Sequence, residues 1–220
     1  MSAAPSLTVD VWSDIACPWC YIGNRTLGQA IEKHDGEVTV RYHSFELAPD
    51  TPVDYEGSEV DFLVQHKGMP TEQVQQMLGQ VTATGAAAGV TFNFDTVRHT
   101  NTLRAHEALH HAAEHGRQGA LLERLFRAYF TEGQHIGRDA TLADLAAEVG
   151  LDRELLLADL AADRHATDVQ RDLNHARQMG VRGVPFFVFE GQYGVSGAQS
   201  ADTFSDVLSR VAAEVGAARA

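Results

Sequence analysis

Cys17 and Cys20 are the only cysteines among 220 residues, and they stand three positions apart around Pro18 and Trp19. Two cysteines used this way suit chemistry better than a scaffold, since a disulfide framework needs more of them, spread along the chain. A thiolate at the first position can attack a disulfide, and the second thiol can then resolve the mixed disulfide. Half of a zinc site is the competing account. Zinc wants four ligands, no second Cys-x-x-Cys is present, and no histidine stands nearby in a knuckle pattern. The dithiol reading is therefore preferred, with Cys17 as nucleophile facing solvent, Cys20 as resolving thiol behind it, and no metal.

Other residue types near the pair could tune it. Asp14, three residues before Cys17, could take the proton of Cys20 or adjust the thiolate, and it could equally cap a turn. Asp10 could serve instead if its side of the strand faces the dithiol. His43 and Glu46 read as a solvated strand face, and Trp12 and Tyr21 as core or rim packing. His106-Glu-Ala-Leu-His110 matches the His-Glu-x-x-His signature of zinc proteases. No further histidine follows at the expected spacing, and nothing marks Glu123 or Glu132 as a third ligand, so the match is set aside. His111 and His115 share one helical face and read as a surface pair.

The elements that must hold the dithiol are legible in the pattern around it. Leu7 to Ser13 is a short β-branched and aromatic run with Val9 and Val11 on one face. A helix follows Cys17, with Pro18 in its first turn, where the missing N–H costs nothing. The pair thus lies at a strand-to-helix junction, and the helix N-terminus favours a thiolate. Glu37 to Leu47 reads as a second strand. From about Tyr55 to Met179 the text turns helical, with 3.6-residue periods at 74–84, 102–115, 121–130, 141–149, 153–160 and 167–179. Gly89, Gly116, Gly133, Gly137 and Gly150 fall between these stretches as stops. Strand signals return at 186–196 as a hairpin turning at Gly191-Gln192, and 201–215 closes as an amphipathic helix. Strand–helix–strand at one end and strand–strand–helix at the other make one small sheet with helices on both faces. The expected fold is a thioredoxin-like α/β domain formed by residues 1–54 and 180–220, with an all-helical insertion over 55–179.

Composition bounds the rest. With 44% hydrophobic residues the chain can bury a core without cross-links. A formal charge of −13 argues against nucleic acid or an anionic membrane as partner. No apolar run approaches the ~20 residues of a membrane span, and Met1 to Ser6 lacks the basic and apolar segments of a secretory leader. The expectation is a cytoplasmic protein, monomer or homodimer, acting on a disulfide-containing protein or a small-molecule thiol.

Four segments in order carry a resemblance that covers nearly the whole chain. The stretch from Val9 to Gly23 resembles the active-site segment of DsbA-like thioredoxin-fold oxidoreductases, in the FrnE-like branch. Asn101-Thr102 with Ala105-His106 is similar to that branch's Asn-Thr-x-x-Ala-His segment. Gly180 to Phe189 resembles its Gly-Val-x-Gly-Val-Pro strand, and Ser196-Gly-Ala-Gln199 its closing turn. The resemblance implies a cis peptide at Val184–Pro185 facing the dithiol, where Val184 can pair with an extended substrate. It also implies that Asn101 and His106 line a groove beneath the insertion, with Asn101 or Thr102 as a helix cap the competing account. The implied activity is thiol–disulfide exchange, with no resident cofactor and glutathione as an eligible redox partner; the expected reducing cytosol sets its direction as reductase or isomerase. Two alternatives accompany it. One is a glutathione-dependent isomerase or transferase acting on small aromatic molecules. Its relatives usually carry serine at the nucleophile position, whereas this chain keeps both cysteines. The other is a zinc-binding or chaperone-like module.

Overall fold

The computed structural model describes residues 6–218; Met1 to Pro5, most of the segment read above for a leader, lie outside them. Strand β1 (Leu7–Ser13) is the centre of the sheet. Its alternation sends Leu7, Val9 and Val11 to one face, where they meet Leu27 and Ala30 of helix α1 (Pro18–Glu32) and Phe204 and Leu208 of the closing helix. Trp12 goes to the other face, against Ala176 and Val181. Strand β2 (Val38–Ser44) runs parallel to β1, as a strand–helix–strand unit requires.

Seven helices follow before the chain returns to the sheet. They are α2 (Glu59–Lys67), α3 (Thr71–Ala87), α4 (Leu103–Glu114), α5 (Gln118–Phe130), α6 (Asp139–Glu148), α7 (Arg153–Ala161) and α8 (Ala166–Gln178). Strand β3 (Phe186–Phe189) then pairs antiparallel with β1, and β4 (Tyr193–Ser196) pairs with β3, giving the order β2-β1-β3-β4. Helix α9 (Ala201–Ala218) ends the described chain. The architecture is thioredoxin-like, with an all-helical insertion between β2 and β3.

Helix α2 escapes the periodicity because only Glu59 of its residues is buried, so no apolar stripe exists to be read. Its signal is local instead. Ser58 Oγ accepts from the Asp61 N–H, the Asp61 carboxylate accepts from the Ser58 N–H, and Gly68 stops the helix at φ 63°. Gly137 also differs from its reading. It is needed for close approach and not for a left-handed turn, since a Cβ there would sit 2.1 Å from Thr100 Oγ1. The hairpin turns one residue earlier than expected, with Glu190 at φ 50° and Gly191 at φ 65°.

Helix α1 serves two cores. Leu27 and Ala30 belong to the sheet's apolar cluster. Cys20, Tyr21 and Ile22 belong to a second cluster built mostly from α4 to α7. Tyr21 stacks on Phe126 of α5 at 4.9 Å between centroids. The dithiol therefore rests on the packing of the helical block as much as on the sheet.

Candidate active site

Cys17 is the N-cap residue of α1, with extended backbone (φ −96°, ψ 112°), and Pro18 follows in the first turn. The turn before it is closed by the Cys17 N–H on the Asp14 carbonyl at 3.1 Å, and the Cys17 carbonyl accepts from the Cys20 N–H at 3.0 Å. No acidic side chain lies in the first helical turn to oppose a thiolate. Both thiols are free.

Their surroundings differ from the sequence expectation in one respect. Cys17 does not face open solvent: it is 4% exposed, against 1% for Cys20. Its Sγ lies 3.6 Å from the Val184 carbonyl, which accepts from the thiol. Its remaining side opens into a cavity of about 190 Å³. Trp19, 40% exposed, carries the accessible surface of the motif instead. Cys20 is held protonated. Burial pushes its thiol well above the usual range, and the neighbouring Cys17 sulfur pushes it further, outweighing help from the Asp14 amide and the Ser13 side chain.

The Val184–Pro185 peptide is cis. Pairing of β3 with β1 begins only at Phe186, so Val184 lies just before the paired stretch. The structure thus brings Cys17, Cys20, Val184 and Pro185 together, with Pro18 and Trp19 on the cavity wall.

Asp14 is buried and behaves as a turn brace. One carboxylate oxygen accepts from the Ala16 N–H at 3.2 Å and the other from the Leu47 N–H at 2.8 Å. Burial alone would raise its pKa, but His106 and these two amides outweigh that and hold it below the ordinary carboxylate value. Asp10 is committed elsewhere, to His43 Nε2 at 2.8 Å.

The expected groove residues are placed behind this wall. His106 is 1% exposed; its Nε2 donates to the Phe45 carbonyl at 3.1 Å and lies 3.6 Å from Asp14. Asn101 donates to the Pro49 carbonyl at 2.9 Å and accepts from the Leu103 N–H at 2.9 Å, bracing a loop and the start of α4. Neither lines the cavity, whereas Thr102 does. The two histidines of the His-Glu-x-x-His match diverge. His110 Nε2 meets Ser44 Oγ and Asp172 Oδ2, each at 3.1 Å, and Glu107 is bound to Arg104. His43 is no solvated face: it sits between Asp10 and Asp172 and stacks on Trp12 at 4.4 Å.

Sequence reasoning missed most of the cavity. Its far wall is Phe62 and Leu63 of α2 with Met77, Leu78 and Val81 of α3, and its inner end is the buried pair Glu59–His99. The pair meets at 2.8 Å, and Phe62 stacks on His99 at 3.4 Å. Glu59 and His99 are 40 positions apart, and no local pattern links them. Only the capping box at Ser58 and Asp61 announces the helix that carries Glu59 and Phe62.

This site on this fold defines a class, the DsbA-like thiol–disulfide oxidoreductases. The chain belongs to the DSBA-like thioredoxin domain family, which matches residues 8–209. A relative from Bacillus subtilis (strain 168), the uncharacterized protein YwbO, is 33% identical over 204 residues, 91% of this chain and 95% of that one. The crystal structure of a probable DsbA oxidoreductase from Streptomyces coelicolor is 38% identical, with a TM-score of 0.84 over 93% of this chain and 89% of that one. The cytosolic disulfide reductase DsbM from Pseudomonas aeruginosa, solved with GSH, shares the fold. Its TM-score is 0.63 at 21% identity, over 92% of this chain and 98% of that one. Among the described residues no helix is long and apolar enough to cross a membrane.

Proposed function

We propose that the protein exchanges thiols and disulfides through Cys17 and Cys20, as a reductase or isomerase of protein or small-molecule disulfides in a reducing compartment. The observation that carries this reading is the asymmetry of the two sulfurs. One contacts Val184 and opens to a cavity; the other is sealed behind it and kept protonated. The Cys17 thiolate attacks one sulfur of a substrate disulfide. The substrate S–S bond breaks, and the departing thiolate takes the Cys20 proton. Cys20, deprotonated in turn, attacks Cys17 Sγ and releases the second substrate thiol. The substrate gains two electrons and the pair ends as an intramolecular disulfide. Val184 and Pro185 position the substrate backbone, with Pro18 and Trp19 at the rim. Asn101, His106 and Asp14 act as positioning residues behind the site.

The cavity favours a substrate with an apolar or aromatic group beside its disulfide, which Phe62, Met77 and Val81 would contact. Lys67 and His66 on the same wall can meet a carboxylate, which supports glutathione as recycling thiol. That wall also lends support to the second reading, a glutathione-dependent isomerase of a small aromatic molecule. Cys20→Ser separates the two. Under disulfide exchange it accumulates a mixed disulfide on Cys17 that only added thiol releases, and Cys17→Ser forms none. Sustained glutathione-dependent turnover by Cys20→Ser would replace the exchange reading with the second.

A further inference from the structure

Three buried side chains converge on the side of α4 that faces α7 and α8. His111 comes from α4, Asp159 from α7, and His165 is the N-cap residue of α8. They are 0%, 8% and 3% exposed, so His111 is not the surface residue its spacing with His115 suggested. Each offers one ligand atom, and these atoms lie within 4.8 Å of one another. Asp159 Oδ2 is 2.7 Å from His111 Nδ1 and 3.8 Å from His165 Nε2.

The ring nitrogens supply an independent observation. Buried histidines normally have both nitrogens satisfied. Here Nε2 of His165, which is turned toward Asp159, is buried and has no hydrogen-bond partner. Nδ1 of His165 meets Asp168 Oδ2 at 3.0 Å, so the ring's other nitrogen, Nε2, is the one turned toward Asp159. At 3.8 Å that nitrogen and Asp159 Oδ2 make no hydrogen bond. Arg164 lies 3.6 Å from the other Asp159 oxygen, so its charge does not fill that gap.

We propose that His111, Asp159 and His165 form a structural site for a divalent transition cation of the zinc type, separate from the dithiol. Two imidazoles and a carboxylate are a common zinc donor set, with water in the fourth position. Zinc bonds of about 2.0–2.2 Å place ligand atoms roughly 3.3 Å apart; the two spacings to Asp159 differ from that by about half an ångström, and the His111–His165 spacing by at most about 1.5 Å. Asp168 is the outer carboxylate that fixes the His165 ring. A cation here would pin α7 and α8 to α4, the helix that carries His106 under the dithiol loop.

The test uses the full chain, stripped with chelator, reloaded with zinc and desalted. Retained metal is counted per chain, and zinc K-edge absorption reads the ligand shell. The expected result is one zinc per chain with a nitrogen and oxygen shell near 2.0 Å. His165→Gln should lose it while keeping its circular dichroism. Asp168→Asn, which leaves all three ligands in place, should weaken binding roughly 10- to 100-fold and gives the answer if His165→Gln does not fold. No retained zinc in the folded wild type, a sulfur shell near 2.3 Å from the dithiol, or undiminished binding in both variants would overturn the proposal.

Discussion

Two acid–histidine clusters link the sheet to the helical block near the end of β1, and they are built differently. At the dithiol, Asp14 gives both oxygens to backbone amides, those of Ala16 and Leu47, with His106 as a third neighbour at 3.6 Å. In the second cluster, Asp172 meets mostly side chains: His43 at 3.0 Å and His110 at 3.1 Å, with one amide, Ser44, at 2.8 Å. The residue types are the same. The partners are not, and the partners decide the role. Asp14 holds the loop that presents Cys17 and the Leu47 end of the cavity wall. Asp172 staples α8 to β2 and touches nothing that reacts.

The largest expected effect comes from cutting the first cluster. Asp14→Ala strands the part-buried backbone N–H groups of Ala16 and Leu47, a loss of about 2–4 kcal/mol in unfolding free energy. It should also slow mixed-disulfide formation at Cys17 by more than tenfold, because Ala16 and Leu47 lose their common anchor. Stopped-flow thiol exchange on the folded fraction reads this, and an unchanged rate would reduce Asp14 to scaffolding. Asp172→Ala should destabilise by a similar or smaller amount, about 2–3 kcal/mol, through the unpaired His43 and His110. The exchange rate of its folded form should match wild type. A slowed rate would erase the distinction between the clusters.

The smallest effect is a pH dependence confined to the second cluster. Burial opposes charge on His43, but Asp10 and Asp172 outweigh it and raise its pKa to about 9. A histidine raised from about 6.5 stabilises the fold fully below pH 6.5, and that contribution drains as pH rises toward 9. On the order of 2 kcal/mol should be lost across this window, the ring being partly exposed. Urea unfolding of wild type and Asp172→Asn, compared at pH 6 and pH 8.5, isolates it, since the Cys20 thiol titrates alike in both. Parallel curves would contradict the assignment. Asp14, whose pKa is lowered, works in the opposite direction: its contribution is present at neutral pH and fades as acid is added.

What could be read beforehand follows the range of the interaction. Cys17, Cys20 and Pro18 are local, and so is the alternation of Val9 and Val11, so the dithiol and its strand–helix junction were legible. Val184–Pro185 became legible only through resemblance, since nothing in the residues themselves ties position 184 to position 17. The cavity was not legible. Phe62 sits on a helix whose only buried residue is Glu59, and Glu59 finds its partner in His99 across a loop and a helix. His106 illustrates the same limit. The resemblance placed it in a groove with Asn101, but the packing of α4 turned it toward Phe45 and Asp14.

The central claim is that Cys17 and Cys20 cycle between dithiol and disulfide. Equilibrating the protein in glutathione buffers of graded poise, and counting free thiols by alkylation and mass, tests it directly. The account predicts a reversible loss of two thiols as one intramolecular disulfide, absent in Cys17→Ser. For a reductase, half-oxidation should fall within or below the cytosolic range of about −220 to −320 mV. A pair that stays reduced across the whole range, or takes up glutathione without ever closing on itself, would contradict it.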